Sequence, residues 1–302
     1  MNKEWQITET LAPTQTPCSV RTLLEKQWLL PRRFTHFLRI NKNVIINGHY
    51  RNMNDLVSPH DQVTLTFTGA EFRTAASSYR PSSQARIDVL YENRDLLVIN
   101  KPAGKKSHPN YPGEMGTVLN DVAAYLQPQG LAPYIVHRLD QQTSGALIVA
   151  KNPIVVPILD RLISMGAIHR EYLALATGQI TPATGKWTWS IGRDPDDRRK
   201  RAVAGPKAQH AQTTYQVLRT TATTSLVKLT LATGRTHQIR VHLAHSGHPI
   251  VNDPLYNPLP ATGPMFLHGK WLRLSLPFSG EKLTLTAPEP AFFSAHIHDI
   301  IS

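Results

Sequence analysis

The sequence predicts an α+β protein built in two parts. Short apolar runs of strand length, many alternating with period two, recur from residue 89 to 285 with few helical patterns between them. Residues 18–68 hold two helical patterns followed by a hairpin signal. Residues 69–86, with Gly69, Ala75, Ala76, Ser77, Ser78, Pro81, Ser82 and Ser83, read as a flexible linker. A chain of 302 residues has room for this arrangement. The expected divisions are an irregular lead-in (1–17), a small module (18–68), the linker (69–86) and a larger domain (87–302).

In the small module, Val20, Leu23, Leu24 and Trp28 recur at helical spacing until Pro31. A second helix from Pro31 carries Phe34, Phe37 and Leu38 on one face and Arg32, Arg33, Arg39 and Lys42 on the others. Val44-Ile45-Ile46 leads into Asn47-Gly48, a strong hairpin signal, and Val63, Leu65 and Phe67 alternate as the closing strand. The larger domain opens on a hairpin, with Val89-Leu90-Tyr91 and Leu96-Leu97-Val98-Ile99 joined by Asn93-Arg94-Asp95. Helices are expected at 117–126 and 154–168, and strands around Tyr172, Tyr215, Leu229 and Leu285. Ile239 and Leu243 suggest one more helix, ending at Gly247. The polar, basic segment 193–207, with Arg198-Arg199-Lys200-Arg201, is expected to be mobile or ordered only on a partner.

The formal charge is +12, which points to a polyanion: nucleic acid or an anionic membrane. No apolar run approaches a membrane span, and residues 1–14 lack the apolar core of a signal peptide. A single cysteine, Cys18, excludes an internal disulfide framework and a cysteine-based zinc site. A reducing cytoplasm, nucleic acid as partner and no membrane are the resulting expectations, with a monomer as the default.

One stretch, residues 135–151, organises the larger domain. Apolar runs at 134–136 and 146–150 flank a polar tip holding Arg138, Asp140, Thr143 and Ser144, with Gly145 as the breaker. A carboxylate at the end of a buried strand is well placed to act as acid, base or nucleophile. Asp followed by Thr, Ser and Gly is also ordinary turn chemistry. Its company decides the matter. Four motifs follow in order: Asn100-Lys101-Pro102-Ala103-Gly104 with His108-Pro109; His137-Arg138-Leu139-Asp140 through Gly145; Glu171-Tyr172; and Gly234-Arg235-Thr236-His237-Gln238-Ile239-Arg240.

In the order and spacing of these motifs, the chain from about residue 89 to 290 resembles the RluA-type pseudouridine synthases. Residues 18–68 resemble the S4 RNA-binding domain in their helix pair, the apolar and basic mix over 32–43, the Val44-Ile45-Ile46-Asn47-Gly48 turn and Asp61-Gln62-Val63. The resemblance implies an α+β catalytic domain with a mixed, mainly antiparallel, bent sheet, preceded by a small S4-like αα-ββ module. It implies an RNA-modifying isomerase that needs no cofactor and no metal. The family's catalytic aspartate falls on Asp140, its base-packing tyrosine on Tyr172, the arginine paired with the aspartate on Arg240, and the residue filling the space of the flipped base on Arg138. RNA contacts are expected at His137, Thr143, Lys101 and Arg235, and in the S4-like module at Arg32, Arg33 and Arg39. Arg235 could also serve structure, and Lys101 could be a solvated strand-end lysine. Ribosomal RNA, with transfer RNA second, is the expected substrate. The module is expected to swing on its linker, so that deleting residues 1–80 leaves a folded catalytic core.

The sequence departs from the family at Arg170, where Lys is usual, at Asn252, where Gly is usual, and at Leu276-Pro277, where His-Pro is usual. His237, His242, His245 and His248 invite a metal reading, but no cysteine or paired carboxylate completes a site, and hydrogen-bonded histidines are expected instead. Two other classes compete. A non-catalytic RNA-binding or assembly factor would need the charge and the module but not Asp140, Tyr172 and Arg240 together. A glycosidase would need a second carboxylate facing Asp140. Asp253 is the one nominee.

Overall fold

The computed structural model describes residues 4–72, 77–84 and 86–301, with residues 298–301 by backbone alone. Part of the expected linker, Ala75 and Ala76 included, lies outside the described residues.

The small module begins earlier than the sequence suggests. In place of an irregular lead-in, Trp5–Thr10 forms a strand paired antiparallel along all of Gln62–Phe67. Its alternating pattern buries Ile7 against the module's core. The lead-in's polar residues disguise a half-buried edge strand, which needs only alternate positions to be apolar. The rest follows expectation. Ser19 caps a helical turn at Val20–Thr22 that continues as a π turn over Leu23–Gln27, and the second helix spans Arg32–Ile40. Val44–Ile46 pairs with both His49–Tyr50 and Gln62–Phe67, the turn made by Asn47 and Gly48 at positive φ.

The larger domain is built on one ten-stranded sheet. Its order runs Thr184–Trp187, Thr213–Thr220, Thr224–Leu231, His169–Thr177, Leu267–Ser275, Ser144–Ala150, Leu96–Lys101, Val89–Glu92. Lys282–Thr286 and Tyr134–Ile135 pair beside that path. Among the described residues, every pairing in this sheet is antiparallel except one. Ser144–Ala150 and Leu267–Ser275 run parallel, and they touch only at Ser144 opposite His268 and Gly145 opposite Gly269. Beyond these pairs the strands diverge to different partners, Tyr134–Ile135 for one and Lys282–Thr286 for the other. The sheet is thus two halves joined at a narrow crossing. Gly145 has φ +114°, and a Cβ there would sit 2.3 Å from the carbonyl oxygen of Gly269, so the crossing exists only with glycine at that position.

The module does not hang free of this domain. A single apolar core runs through Val20, Leu24, Phe34 and Phe67 of the module and Leu96, Val98, Ile148 and Leu159 of the domain. Arg161 donates 2.9 and 3.1 Å hydrogen bonds to the Leu29 and Leu30 carbonyls, Arg94 reaches the Thr8 carbonyl at 3.1 Å, and Trp28 meets Phe278 edge to face at 5.3 Å. The expectation of a module swinging on a tether is corrected by this shared core.

The basic segment 193–207 is also more ordered than expected. Ile191–Arg193 pairs with Arg201–Val203, and Asp194 and Asp197 accept the backbone N–H groups of the turn between them. Local carboxylate caps offset the charge that suggested disorder.

Candidate active site

The crossing of the sheet halves places the site. Asp140 lies in the loop entering Ser144–Ala150 on one side, and Tyr172 lies on His169–Thr177 on the other, paired with Gly269. Both line a cavity of about 480 Å³, with Arg138, Thr143, Arg170, Arg235, His237 and Arg240.

The Asp140 loop is tied down from three directions. The Thr143 N–H donates to the Asp140 carbonyl at 3.1 Å and closes the turn. Ser107 donates to the Leu139 carbonyl at 2.7 Å and accepts from the Leu139 N–H at 3.1 Å. Lys101 is fully buried, and its ammonium donates to the carbonyls of Pro102, Lys105 and Gln141 at 2.8, 2.6 and 3.1 Å. The Lys-Pro-Ala-Gly motif is therefore a clamp on the loop. Lys101 is neither an RNA contact nor a solvated lysine, because all three of its donors point inward. Burial draws its pKa down to about 7, against the attraction of Asp140.

His137, part-buried, lines the cavity and also braces the scaffold, while its Nδ1 has no hydrogen-bond partner among the described residues. Its Nε2 accepts the Ile148 N–H at 3.0 Å, where the short strand Tyr134–Ile135 has already left the ladder. Burial, with Arg170 nearby, pushes its pKa down to about 3, so the ring is neutral. Thr143 is buried in the cavity wall. Arg138 is exposed at the rim and donates to Thr236 Oγ1 at 2.7 Å. Arg235, also exposed, directs Nε to the His210 carbonyl and Nη1 to Gln209. Arg32, Arg33 and Arg39 are exposed on the small module and do not line this cavity, and Arg33 donates to the Ala70 carbonyl at 2.7 Å.

The opposing wall is the Gly-Arg-Thr-His-Gln-Ile-Arg motif, which leads into the helix Gln238–His245. Gln238 pins it: Oε1 accepts from Thr233 and the Arg235 N–H, while Nε2 donates to the Gln212 carbonyl and Thr213. Within the first helical turn, Arg240 is 4% exposed and donates to Asp140 Oδ2 through Nη1 at 3.2 Å. Its Nε and Nη2 grip the two oxygens of fully buried Asp253, each at 2.7 Å. Burial pulls the arginine's pKa down, but Asp253 first and Asp140 second outweigh it and hold it above the ordinary value. Tyr256 packs under the guanidinium, 5.0 Å from its ring centroid, and its hydroxyl joins His237 Nδ1 at 2.8 Å and the Arg201 N–H at 2.8 Å. His237 Nε2 lies 3.9 Å from Asp140, and burial keeps its pKa low.

The sequence expectation for Asp140, Tyr172 and Arg240 thus corresponds to three side chains on one cavity. Asp253, nominated only as a second carboxylate facing Asp140, instead braces Arg240, and Tyr256 and Ser107 were not expected there, since nothing in spacing alone ties them to Asp140. Asp253 is fully buried and does not line the cavity, so it cannot meet a scissile bond there as a glycosidase needs; both carboxylates bind one arginine. His242 and His248 are hydrogen-bonded within the scaffold, to Thr213 and the Trp189 carbonyl and to the Thr177 carbonyl. Asn252 holds φ +61° where glycine is usual, a conformation asparagine tolerates.

Known proteins are similar to this chain. A family model described as RNA pseudouridylate synthase matches residues 95–245, and one described as the RluD ribosomal pseudouridine synthase N-terminal domain matches residues 7–63. The chain is 36% identical over 259 residues to an uncharacterized RNA pseudouridine synthase of Bacillus subtilis, YhcT, covering 84% of this chain and 82% of the relative. It is 36% identical over 286 residues to ribosomal large subunit pseudouridine synthase D of Escherichia coli O6:H1, covering 88% and 82%. Among solved structures it is similar to human RNA pseudouridylate synthase domain containing 4, with TM-score 0.59 and 25% identity over 71% of this chain and 93% of that one. Shared sequence over four-fifths of such relatives, on a shared fold, makes this chain a member of the RNA pseudouridylate synthase family, an isomerase that converts uridine to pseudouridine in RNA.

Proposed function

We propose that this synthase modifies uridines of large-subunit ribosomal RNA, with Asp140 as the reacting carboxylate. The observation that carries the assignment is the Asp140–Arg240 pair, 3.2 Å apart at a cavity that Tyr172 also lines. The ribosomal substrate is supported by relatives named for the large subunit.

A cavity of about 480 Å³ accommodates a nucleotide but not a duplex, so the target uridine enters flipped out. Arg138 at the rim has the length and planarity to fill the vacated stack. Tyr172, 5% exposed, holds the base, and burial raises its pKa so that it stays a neutral phenol. In the reaction the N1–C1′ bond breaks, the uracil turns, C5–C1′ forms, N1 gains a proton and C5 releases one. No atom is gained or lost. Asp140, 22% exposed in its side chain, is the anion in reach of the sugar, where it acts as nucleophile or as base on a sugar proton. Arg240 supplies its counter-charge, and Asp253 fixes Arg240.

The test is pseudouridine mapping of ribosomal and transfer RNA from cells lacking the gene, complemented with wild type or Asp140→Asn. A site in large-subunit RNA should vanish and return only with wild type. A site lost only from transfer RNA, or restored by the variant, contradicts the proposal.

A further inference from the structure

One wall of the cavity holds a cation whose charge is unmatched. Arg170 is 9% exposed. Its Nε is buried without a hydrogen-bond partner, and among the described residues its guanidinium has no ion pair either. The guanidinium lies over Gly234, where an added Cβ would come within 3.3 Å of Nη1. Glycine at that point of the Gly-Arg-Thr-His-Gln motif leaves it room. The carboxylates of the cavity do not compensate it. Asp140 is paired with Arg240, and Asp160 makes no ion pair with Arg170. His137 beside it is a neutral ring.

A guanidinium cannot shed its proton to escape burial, and an unpaired buried charge is costly to keep. Such a group persists where a ligand supplies the missing anion. Arg170 and Tyr172 are two residues apart on one strand, about 6.5 Å, and both line the cavity. That separation is comparable with the distance from a base to the phosphate of its own nucleotide. A uracil carbonyl would satisfy one donor but leave the charge. A phosphodiester satisfies both, and the planar fork suits it bidentately.

We infer that Arg170 seats a phosphodiester of the substrate RNA, one of the two flanking the uridine held at Tyr172. It acts as a positioning residue: it fixes the sugar–phosphate of the flipped nucleotide so that C1′ faces Asp140. The inference rests on the reading of this cavity as the RNA site.

The experiment begins with wild-type turnover on unmodified large-subunit RNA transcript, which tests that reading alone. An RNA stem–loop around the modified uridine is then made with a neutral methylphosphonate on its 5′ or its 3′ side. Affinity is measured for Asp140→Asn, for Asp140→Asn with Arg170→Gln, and for Asp140→Asn with Arg170→Lys. One of the two neutral linkages should weaken binding to the protein that keeps Arg170 about tenfold. The same linkage should have little effect on the Arg170→Gln protein, and Arg170→Lys should restore part of the sensitivity. The slope of log affinity against log salt should fall by about one in the Arg170→Gln protein. Because it removes an uncompensated buried charge, Arg170→Gln should also melt no lower than its parent. Equal methylphosphonate penalties with and without Arg170→Gln, or a lowered melting point with unchanged RNA affinity, would assign Arg170 to the scaffold and overturn the inference. Turnover without that coupling defeats this inference and spares the assigned reaction.

Discussion

Arg240 holds two carboxylates at once, and the division between them explains the site. The bidentate grip of fully buried Asp253 fixes the guanidinium plane, leaving Nη1 to meet Asp140. Asp253→Asn should therefore harm both stability and rate. Loss of one charge from a buried pair costs about 3–5 kcal/mol. The freed guanidinium should also lower single-turnover rate about 100-fold, measured below the variant's melting point. A wild-type rate would show that Asp140 needs no braced partner. His137 gives a second residue-scale test. Its folded pKa of about 3 lies below the ordinary histidine value of 6.5. Between those values the unfolded chain binds a proton that the folded chain refuses, so stability is complete above 6.5 and is lost as pH falls toward 3. Thermal melts from pH 7 to 4 should drop less steeply for His137→Gln than for wild type.

At the scale of elements, two of the chemistry-bearing motifs sit at element boundaries that the apolar pattern made legible, while their roles came from the family resemblance. The Asp140 tip lies between two apolar runs that form strands, and the arginine motif lies between a strand and a helix. Periodicity also placed the helices Val118–Leu126 and Val156–Ser164 and the opening hairpin. Pairings between distant strands were not legible. Nothing in the residues around Gly145 says that the backbone of Gly269 crosses 2.3 Å from its would-be Cβ. Nor does spacing reveal that Lys101, on one strand, clamps Gln141 on another loop. A lysine at a strand end reads as solvated until the fold buries it. The hairpin of Ile191–Arg193 and Arg201–Val203 was hidden by its charge, since the stabilising partners are local carboxylates and backbone rather than apolar side chains.

On the scale of the whole molecule, composition pointed to a polyanionic partner, which family membership makes RNA, but not to how the two parts meet. The small module covers Leu96, Val98 and Ile148, each fully buried in the intact chain. Deleting residues 1–80 should therefore give a chain that melts well below the full protein and binds a hydrophobic dye, rather than an undisturbed core. Calorimetry of the two chains decides it: equal melting temperatures would restore the picture of an independent tethered module. Arg161→Ala, which removes two bonds from a cation to the Leu29 and Leu30 carbonyls, should show the same weakness in smaller measure, about 2 kcal/mol.

Asp140, held by Arg240, is the group proposed to perform the isomerisation. The most direct test is pseudouridine formation by purified protein on unmodified large-subunit ribosomal RNA transcript, wild type against Asp140→Asn at matched folding and RNA affinity. Wild type should convert defined uridines stoichiometrically and the variant none. Conversion by a folded, RNA-bound Asp140→Asn protein would contradict the proposal.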